Sequence, residues 1–322
     1  MSSTGITVGV HVPPEGFSFD EMKRICLTVE RLGFGLFTVT DHLMRMSRPE
    51  VVEGRHPLEC WTTLAGLAAA TSKIRLAPLV SCYGYRYPTV LAKMATTVDI
   101  ISNGRLILGV GAGWHQMEFE GFMGRFPPVS ERMRGLEETV QICRSMFLNE
   151  LTSFQGKLFK VARVLNSPLP VQRSIPIMVG GGGLKRTLRI AARYADISHF
   201  DVVPSEAVLD QKLSALAAHC KAVGRDYDEI RKGITFYLVI GDTEEEIESR
   251  IHEGAEWRYS SVERFRSRVG PVRGNTEQCM EALRAYIRKG ITMFTLYLVS
   301  YDYRRVMEDV KFFAEEIMPQ LK

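Results

Sequence analysis

The sequence lacks the long hydrophobic segments of membrane proteins. None of its apolar runs reaches the length of about 18 residues that a membrane-spanning helix needs. The amino terminus, MSSTGITVGV, also lacks the basic segment and the apolar stretch of a secretory signal. These absences argue against a membrane protein and against export, and we expect a cytoplasmic location.

Closely spaced metal ligands and runs of one charge are also absent. The six cysteines form no C-x-x-C pair, and the seven histidines form no H-x-x-x-H pair, which argues against disulfides, structural zinc and any other metal site. The net charge is only +4, with basic and acidic residues interleaved, so nucleic acid is a poor candidate for a partner. A composition of 45% hydrophobic and 24% charged residues is typical of a globular protein.

Apolar, β-rich runs alternate along the chain with segments of helical periodicity. The eight runs span residues 6–12, 34–40, 74–80, 105–111, 175–180, 196–200, 233–240 and 290–299. Near-continuous apolar strands separated by amphipathic helices indicate a parallel sheet covered on its faces. We therefore predict one α/β domain over residues 1–322, a (β/α)₈ TIM barrel, with an open doubly wound sheet as the alternative.

Two longer connections interrupt this alternation, at about 150–174 and about 255–275. The first predicts a small β-excursion around Gln155 and Gly156. The second is polar, basic and aromatic, which fits a lid or rim at a functional site and equally a solvated insertion.

Polar residues follow several of the predicted strands, at the end where a barrel places its active site. The strand ends carry His11, Asp41 with His42, Ser81 with Cys82, Trp114 with His115, and His199 with Asp201. A histidine near its ordinary pKa can exchange a proton while a hydride moves. His42, beside Asp41, is the strongest candidate for this role.

Two glycine-rich segments predict space for a cofactor. Four glycines in VGGGGLKRTLRIAARYAD, residues 179–196, join a strand to a helix. Their backbone amides and the start of the helix suit a phosphate, with Lys185, Arg186 or Thr187 nearby. In NGRLILGVGAGW, residues 103–114, alternating glycines leave room for a flat ring, or simply for neighbouring core side chains.

Three blocks together carry a family resemblance: FGLFTVTDHL at 34–43, IRLAPLVSCYGYRYPTVLAKMATTVDIISNGRLILGVGAGWHQMEFEGF at 74–122, and VGGGGLKRTLRIAARYADI at 179–197. They resemble the luciferase-like monooxygenase superfamily, and within it the branch that uses the deazaflavin coenzyme F-420. The resemblance extends to about residue 200 and is more diffuse beyond it.

The resemblance implies a set of site residues. Asp41 and His42 would contact the cofactor and supply a proton donor, and a cis peptide at Leu79–Val80 would support the ring beside Cys82. The remaining cofactor contacts would be Gly113, Trp114 and Met117 at the ring and ribityl chain, and Gly182, Gly183, Arg186 and Thr187 at the phosphate. For the substrate we predict contacts from His11, Tyr83, His199 and Trp257 and, on the same rim, Tyr85 and Tyr259.

One departure from the family pattern bears on the substrate. Related sugar-phosphate dehydrogenases carry a glutamate where this chain has Trp114, so sugar-phosphate oxidation is doubtful. Glu118 lies one helical turn further along.

The resulting prediction is hydride transfer between bound coenzyme F-420 and a small organic substrate, in a homodimer like those of similar proteins. The alternatives are an FMN-dependent monooxygenase that uses reduced flavin and oxygen, and a non-catalytic barrel that binds the coenzyme.

Overall fold

The computed structural model describes residues 5–45, 56–203, 205–258, 260–298, 300 and 302–321. The strands in this part of the chain are β1 Thr7–Val12, β2 Leu36–Val39, β3 Arg75–Pro78, β4 Ser81–Cys82, β5 Leu108–Gly111, β6 Leu151–Gln155, β7 Lys160–Leu165, β8 Ile177–Gly180, β9 Ile197–Phe200, β10 Arg231–Tyr237, β11 Val239–Ile240, β12 Arg273–Gly274 and β13 Ile291–Tyr297.

The α-helices are α1 Phe19–Arg31, α2 Cys60–Ala70, α3 Pro88–Ile101, α4 Gln116–Met123, α5 Val129–Leu148, α6 Thr187–Tyr194, α7 Glu206–Val223, α8 Glu244–Trp257, α9 Val262–Val269, α10 Thr276–Arg288 and α11 Tyr303–Phe312. A short 3₁₀ turn, Tyr227–Glu229, precedes β10, and α11 continues into a π turn, Phe313–Ile317, and a 3₁₀ turn, Met318–Leu321.

The main sheet is parallel and nearly closes into a barrel. Its strand order is β3-β2-β1-β13-β10-β9-β8-β5-β4. β3 and β4 occupy one barrel position, because they are the two halves of the third predicted strand, separated by residues 79 and 80. The backbone of Leu76 also bonds to Arg105 and Ile107, just ahead of β5. The predicted TIM barrel is therefore confirmed, and the open doubly wound sheet is excluded.

The inside of the barrel is filled by apolar side chains from successive strands, namely Leu36, Ala77, Ile107, Met178, Ile197 and Met293. All six are at most 5% exposed. A larger apolar layer packs between the strands and the surrounding helices. Because the strands are covered on both sides, their sequences are continuously apolar, which is the pattern that predicted them.

The two interruptions have structures of their own. In the first, β6 and β7 form an antiparallel hairpin around Gln155 and Gly156. The second contains the end of α8, helix α9 and β12, which pairs with β11 apart from the barrel. The predicted strand 233–240 is split at Leu238, because the chain leaves the barrel there to form this small sheet.

Within the described ranges, no helix combines the length and hydropathy needed to cross a bilayer. In the same ranges, histidine, cysteine, aspartate and glutamate form no group of three or more that could hold a metal ion. The six cysteines, Cys26, Cys60, Cys82, Cys143, Cys220 and Cys279, are buried free thiols.

Candidate functional site

A cavity of about 1010 Å³ opens at the carboxyl ends of the barrel strands. Most of the site residues predicted from the sequence line it, namely His11, Asp41, His42, Leu79, Val80, Cys82, Tyr85, Gly113, Trp114, Gly182, Gly183, Thr187 and His199. They lie at or after six different barrel positions, so the fold gathers them from distant parts of the chain.

Leu79 and Val80 form an apolar wall of the cavity, and the peptide bond between them is cis, as the family resemblance implies. The backbones of Gly111 and Gly180 lie directly against Val80. A Cβ on Gly111 would be 2.5 Å from Val80 Cγ2, and a Cβ on Gly180 would be 2.6 Å from Val80 Cγ1. Since larger residues would displace Val80, these glycines keep the wall flat enough for a planar ring.

Asp41 is buried at the edge of this wall and is fully engaged in hydrogen bonds. Arg86 donates to both of its oxygens, at 2.6 and 3.0 Å. The Ser81 hydroxyl donates at 2.7 Å and the Cys82 amide at 3.3 Å. Asp41 therefore ties the loop after β2 to β4 and fixes the wall, and none of these contacts points to proton transfer.

Arg86 remains charged in this half-buried position because it has two acidic partners. Burial disfavours the guanidinium, but Asp41 and Glu59 more than compensate and raise the pKa of Arg86. The charge of Asp41 is thus balanced outside the cavity, since Arg86 does not line it.

His42 pairs with a carboxylate that has no exposed side-chain surface. Its Nδ1 lies 2.8 Å from Glu118 Oε2, and its own side chain is 15% exposed. The other Glu118 oxygen accepts from the amides of Leu43 and Met44, at 2.7 and 2.9 Å. Tyr85 donates its hydroxyl to Oε2 at 2.5 Å. Glu118 therefore fixes both the His42 ring and the backbone of its loop.

The charge of Glu118 is favoured by this arrangement. Burial by itself would raise its pKa, but the hydrogen bonds from His42, Tyr85 and the backbone outweigh that effect and lower it. An ionised Glu118 can only accept a hydrogen bond from Nδ1–H, which assigns the hydrogen of a neutral His42 to that nitrogen. Nε2, for which the described residues provide no partner, remains for a ligand.

The sequence carried only a partial signal for this pair. Glu118 is at the third position of α4, and its amide donates to His115, the N-cap residue, at 3.4 Å. A glutamate at this position commonly turns back to cap its own helix. Here its carboxylate instead reaches a loop 76 residues away in sequence, which spacing cannot show.

His11 and His199 lie on a buried side of the cavity. Burial lowers the pKa of His11 to about 3, with smaller effects from His199, Arg258 and His42. Burial also lowers the pKa of His199 to about 4. His11 Nδ1 is 2.8 Å from the Thr38 hydroxyl, and the His11 ring packs edge-on against Tyr297 at 4.5 Å. Both histidines are therefore neutral at physiological pH and offer hydrogen bonds without charge.

The glycine corner, residues 180–183, joins β8 to the loop before α6. Gly181 has a φ of +112°, and a Cβ on Gly183 would be 2.8 Å from the Thr187 hydroxyl. Among the described residues, the amides of Gly182 and Gly183 have no acceptor. Together with the start of α6, these amides suit an anion that approaches the backbone closely.

Lys212, on α7, adds a cation that the sequence analysis missed. Its ammonium donates to the Gly182 carbonyl at 3.1 Å, and burial lowers its pKa. No local motif marks this lysine, because it comes from the next helix along the chain and reaches back to the corner.

Several predicted contacts do not line the cavity. Met117 and Arg186 are exposed outside it. Tyr83 is buried beside Phe119, and Trp257 is buried against Tyr297. Tyr85, by contrast, lines the cavity, and Tyr259 lies outside the described residues.

These features fit a planar cofactor with a phosphate. The flat wall at Leu79 and Val80 suits the ring, and the glycine corner with Lys212 suits the phosphate. His42 lies on the same cavity, with Nε2 as its free ring nitrogen.

Comparisons with known proteins identify relatives of this chain. A protein of unassigned function from Mycobacterium tuberculosis is 32% identical over 169 residues, which are 52% of this chain and 58% of that protein. The chain thus spans little more than half of such relatives. The F-420-dependent glucose-6-phosphate dehydrogenase of Nocardia farcinica is 23% identical over 344 aligned positions, covering 98% of both chains.

Solved structures share the fold over nearly the whole chain. An F-420-dependent secondary alcohol dehydrogenase, in complex with an F-420–acetone adduct, has a TM-score of 0.84 at 17% identity, covering 99% of this chain and 100% of its own. The FMN-bound oxygenating component of 3,6-diketocamphane monooxygenase from Pseudomonas putida has a TM-score of 0.76 at 15% identity, covering 98% and 99%. The model of the luciferase-like monooxygenase family matches residues 1–293. The chain belongs to the luciferase-like monooxygenase family.

Proposed function

We propose that the protein is an oxidoreductase that transfers a hydride between coenzyme F-420 and a small organic substrate. The observation that carries the proposal is one cavity with a flat apolar wall at Leu79 and Val80, a glycine corner suited to phosphate, and a carboxylate-paired His42. The F-420-dependent relative and solved structure support this choice of coenzyme.

The cofactor contacts divide between two parts of the cavity. Leu79, Val80 and Cys82 would lie against the ring, together with the backbone at Gly113 and the exposed indole of Trp114. The amides of Gly182 and Gly183, with Thr187 and Lys212, would hold the phosphate. When bound, the deazaflavin supplies the group that accepts or gives the hydride.

His42 would manage the proton that accompanies the hydride. Glu118 holds Nδ1 as a donor, so Nε2 can accept the proton of a substrate hydroxyl, or return it in the reverse direction. The neutral side chains of His11 and His199 would orient the substrate by hydrogen bonds. Asp41 would act through the wall that it positions, and not as a proton donor.

Trp114 bears on the substrate. The family resemblance aligns it with a glutamate of related sugar-phosphate dehydrogenases, and its ring lies 5.5 Å from that of His42. The indole provides no acid–base group at this position, so we expect a substrate other than a sugar phosphate.

A second candidate function is an FMN-dependent monooxygenase, which the FMN-bound structural neighbour favours. Titration of the purified protein with oxidised F-420 and with FMN separates the two. Saturable F-420 binding with no FMN binding supports the proposal. FMN binding with substrate-dependent oxygen consumption supports the monooxygenase instead.

The binding-only alternative is tested with His42→Ala. In the proposed enzyme this change lowers kcat by about 100-fold or more, since general acid–base catalysis contributes about 10²–10⁴-fold, and F-420 affinity changes little. Two results would contradict the catalytic role of His42. Either the wild type turns over no member of a panel of secondary alcohols and ketones, or His42→Ala is as active as the wild type.

We also propose a cytoplasmic homodimer. Tyr87 and Val90, at the start of α3, are about half exposed. Tyr87 packs against Phe159 of the β6–β7 hairpin at 5.3 Å, and Leu165 of the hairpin is 62% exposed. These exposed apolar side chains suit contact with a second copy of the chain. Sedimentation velocity should show a dimer that Val90→Asp dissociates, and a wild-type monomer would contradict the proposal.

A further inference from the structure

Helix α9 presents a basic face to the cavity. Arg264 and Arg268 are one turn apart and line the cavity together with Ser267. Phe265 and Val269 are buried in an apolar cluster with side chains of β10 and α8. The helix is thus anchored by one face while another faces the opening of the cavity.

These two arginines differ from their neighbour on the same helix. Arg266 pairs with Glu248, away from the cavity. Arg264 and Arg268 have no carboxylate within 4.0 Å in the described part of the chain. The helix therefore neutralises its outward arginine and leaves positive charge on the cavity side.

The acidic residues of the cavity do not balance this charge. Asp41 is paired with Arg86. Asp201, the other carboxylate that lines the cavity, accepts from the Val202 amide at 2.8 Å and forms no ion pair with Arg264 or Arg268 among the described residues. The rim at α9 is consequently an electropositive part of the cavity, with the Ser260 and Ser267 hydroxyls beside it.

This rim is separate from the glycine corner. The corner follows β8, whereas α9 belongs to the connection between β10 and β13, with β9 standing between β8 and β10 in the barrel. The corner also has a cation of its own, Lys212. A cofactor phosphate at the corner would leave the arginines of α9 for a different anion.

We propose that Arg264 and Arg268 bind an anionic oxygen group of the substrate, a carboxylate or a phosphate, at the rim of the cavity. The inference rests on the proposed function, since it assigns the substrate class of the same site. Guanidinium groups suit such anions because their N–H donors match two oxygens at once. The anion would remain at the rim while the reacting carbon lies deeper, near His42.

The direct test measures anion binding to protein that is already saturated with F-420. Isothermal titration with inorganic phosphate and with succinate is compared for the wild type, Arg264→Gln/Arg268→Gln and the matched control Arg266→Gln. We expect the double variant to bind at least about tenfold more weakly, a loss of about 1.4 kcal/mol, because it loses the charge-assisted hydrogen bonds of two guanidinium groups. The control should bind like the wild type, and Arg264→Lys/Arg268→Lys should bind with intermediate affinity, since it keeps the charge and loses the two-oxygen match.

A kinetic test uses 4-hydroxypentanoate and 2-pentanol, which share a carbon skeleton and differ in the carboxylate. The wild type should prefer the acid through a lower KM, and the double glutamine variant should lose that preference. Stronger binding of phosphate than of succinate would identify the phosphate as the group, and the reverse would identify the carboxylate.

Three results would overturn the inference. They are no anion binding by the F-420-loaded wild type, equal binding by wild type and double variant, and a loss of F-420 affinity without loss of anion binding. The last would assign the arginines to the carboxylates of the coenzyme. If neither F-420 nor FMN binds, the proposed function fails by itself, and phosphate titration of the ligand-free protein still decides whether these arginines form an anion site.

Discussion

Glu118→Gln tests the pairing that orients His42. The carboxylate accepts four hydrogen bonds without any exposed side-chain surface. Glutamine can still accept from the two loop amides, but as a neutral group, and it places an NH₂ where His42 and Tyr85 now donate. A hydrogen bond to a charged group contributes about 1 kcal/mol more than one to a neutral group. With the two mismatched donors, we expect a loss of about 3 kcal/mol of unfolding free energy at pH 7.

The pH dependence of this loss has a defined sign. The pKa of Glu118 is lowered in the folded protein, so its stabilisation is complete above the ordinary glutamate pKa of about 4.3. It decreases as the pH falls below that value and through the lower pKa of the folded state. The difference between wild type and Glu118→Gln should therefore be largest at neutral pH and shrink on acidification.

Urea unfolding at pH 7 and at several acidic pH values measures this difference. Glu120→Gln is the matched control, because Glu120 is exposed on the same helix and contacts only Gln116 among the described residues. It should lie within about 0.5 kcal/mol of the wild type, as surface substitutions usually do. The reasoning is refuted if Glu118→Gln is as stable as the control at pH 7, or if its deficit does not shrink in acid.

Gly180→Ala should weaken F-420 binding about tenfold, measured by fluorescence titration, because a Cβ 2.6 Å from Val80 Cγ1 displaces the wall; unchanged affinity with an intact circular dichroism spectrum would contradict this. Lys212→Met should raise the Kd for F-420 about five- to tenfold, as expected for one charge-assisted contact, whereas the exposed Lys221→Met on the same helix should not. Burial lowers the pKa of His199 to about 4 in the folded protein. As the pH falls from 6.5 to 4, this histidine is therefore protonated in the unfolded chain but not in the folded protein, and the free energy of unfolding decreases. Each pKa unit is about 1.4 kcal/mol, and His199→Gln should reduce that decline, measured by urea unfolding, by up to about 3 kcal/mol.

The barrel was predictable because its strands are buried on both sides. Their apolar runs therefore stand out from the amphipathic helices, and the residues after each strand can be assigned to one end of the barrel. This reasoning predicted that His11, Asp41, His42 and His199 lie together. In the structure, all four line one cavity. The cis peptide at Leu79 was expected only from the family resemblance, since no residue pattern specifies it.

The contacts of the site were less predictable, because they depend on the rotation of helices and loops. The pairing of His42 with Glu118 depends on how α4 is rotated against the loop after β2, and Lys212 reaches the glycine corner from α7. Tyr83 directly follows β4, and Trp257 is the last residue of α8. At such ends the sequence pattern no longer predicts which side a residue faces. Both are buried beside the cavity and do not line it.

A crystal structure of the protein with oxidised F-420 would test the central claim most directly. We expect the deazaflavin ring against Leu79 and Val80, the phosphate within hydrogen-bond distance of the Gly182 and Gly183 amides, and His42 Nε2 facing the substrate side of the ring. A coenzyme bound elsewhere, or a phosphate away from the glycine corner, would contradict the account.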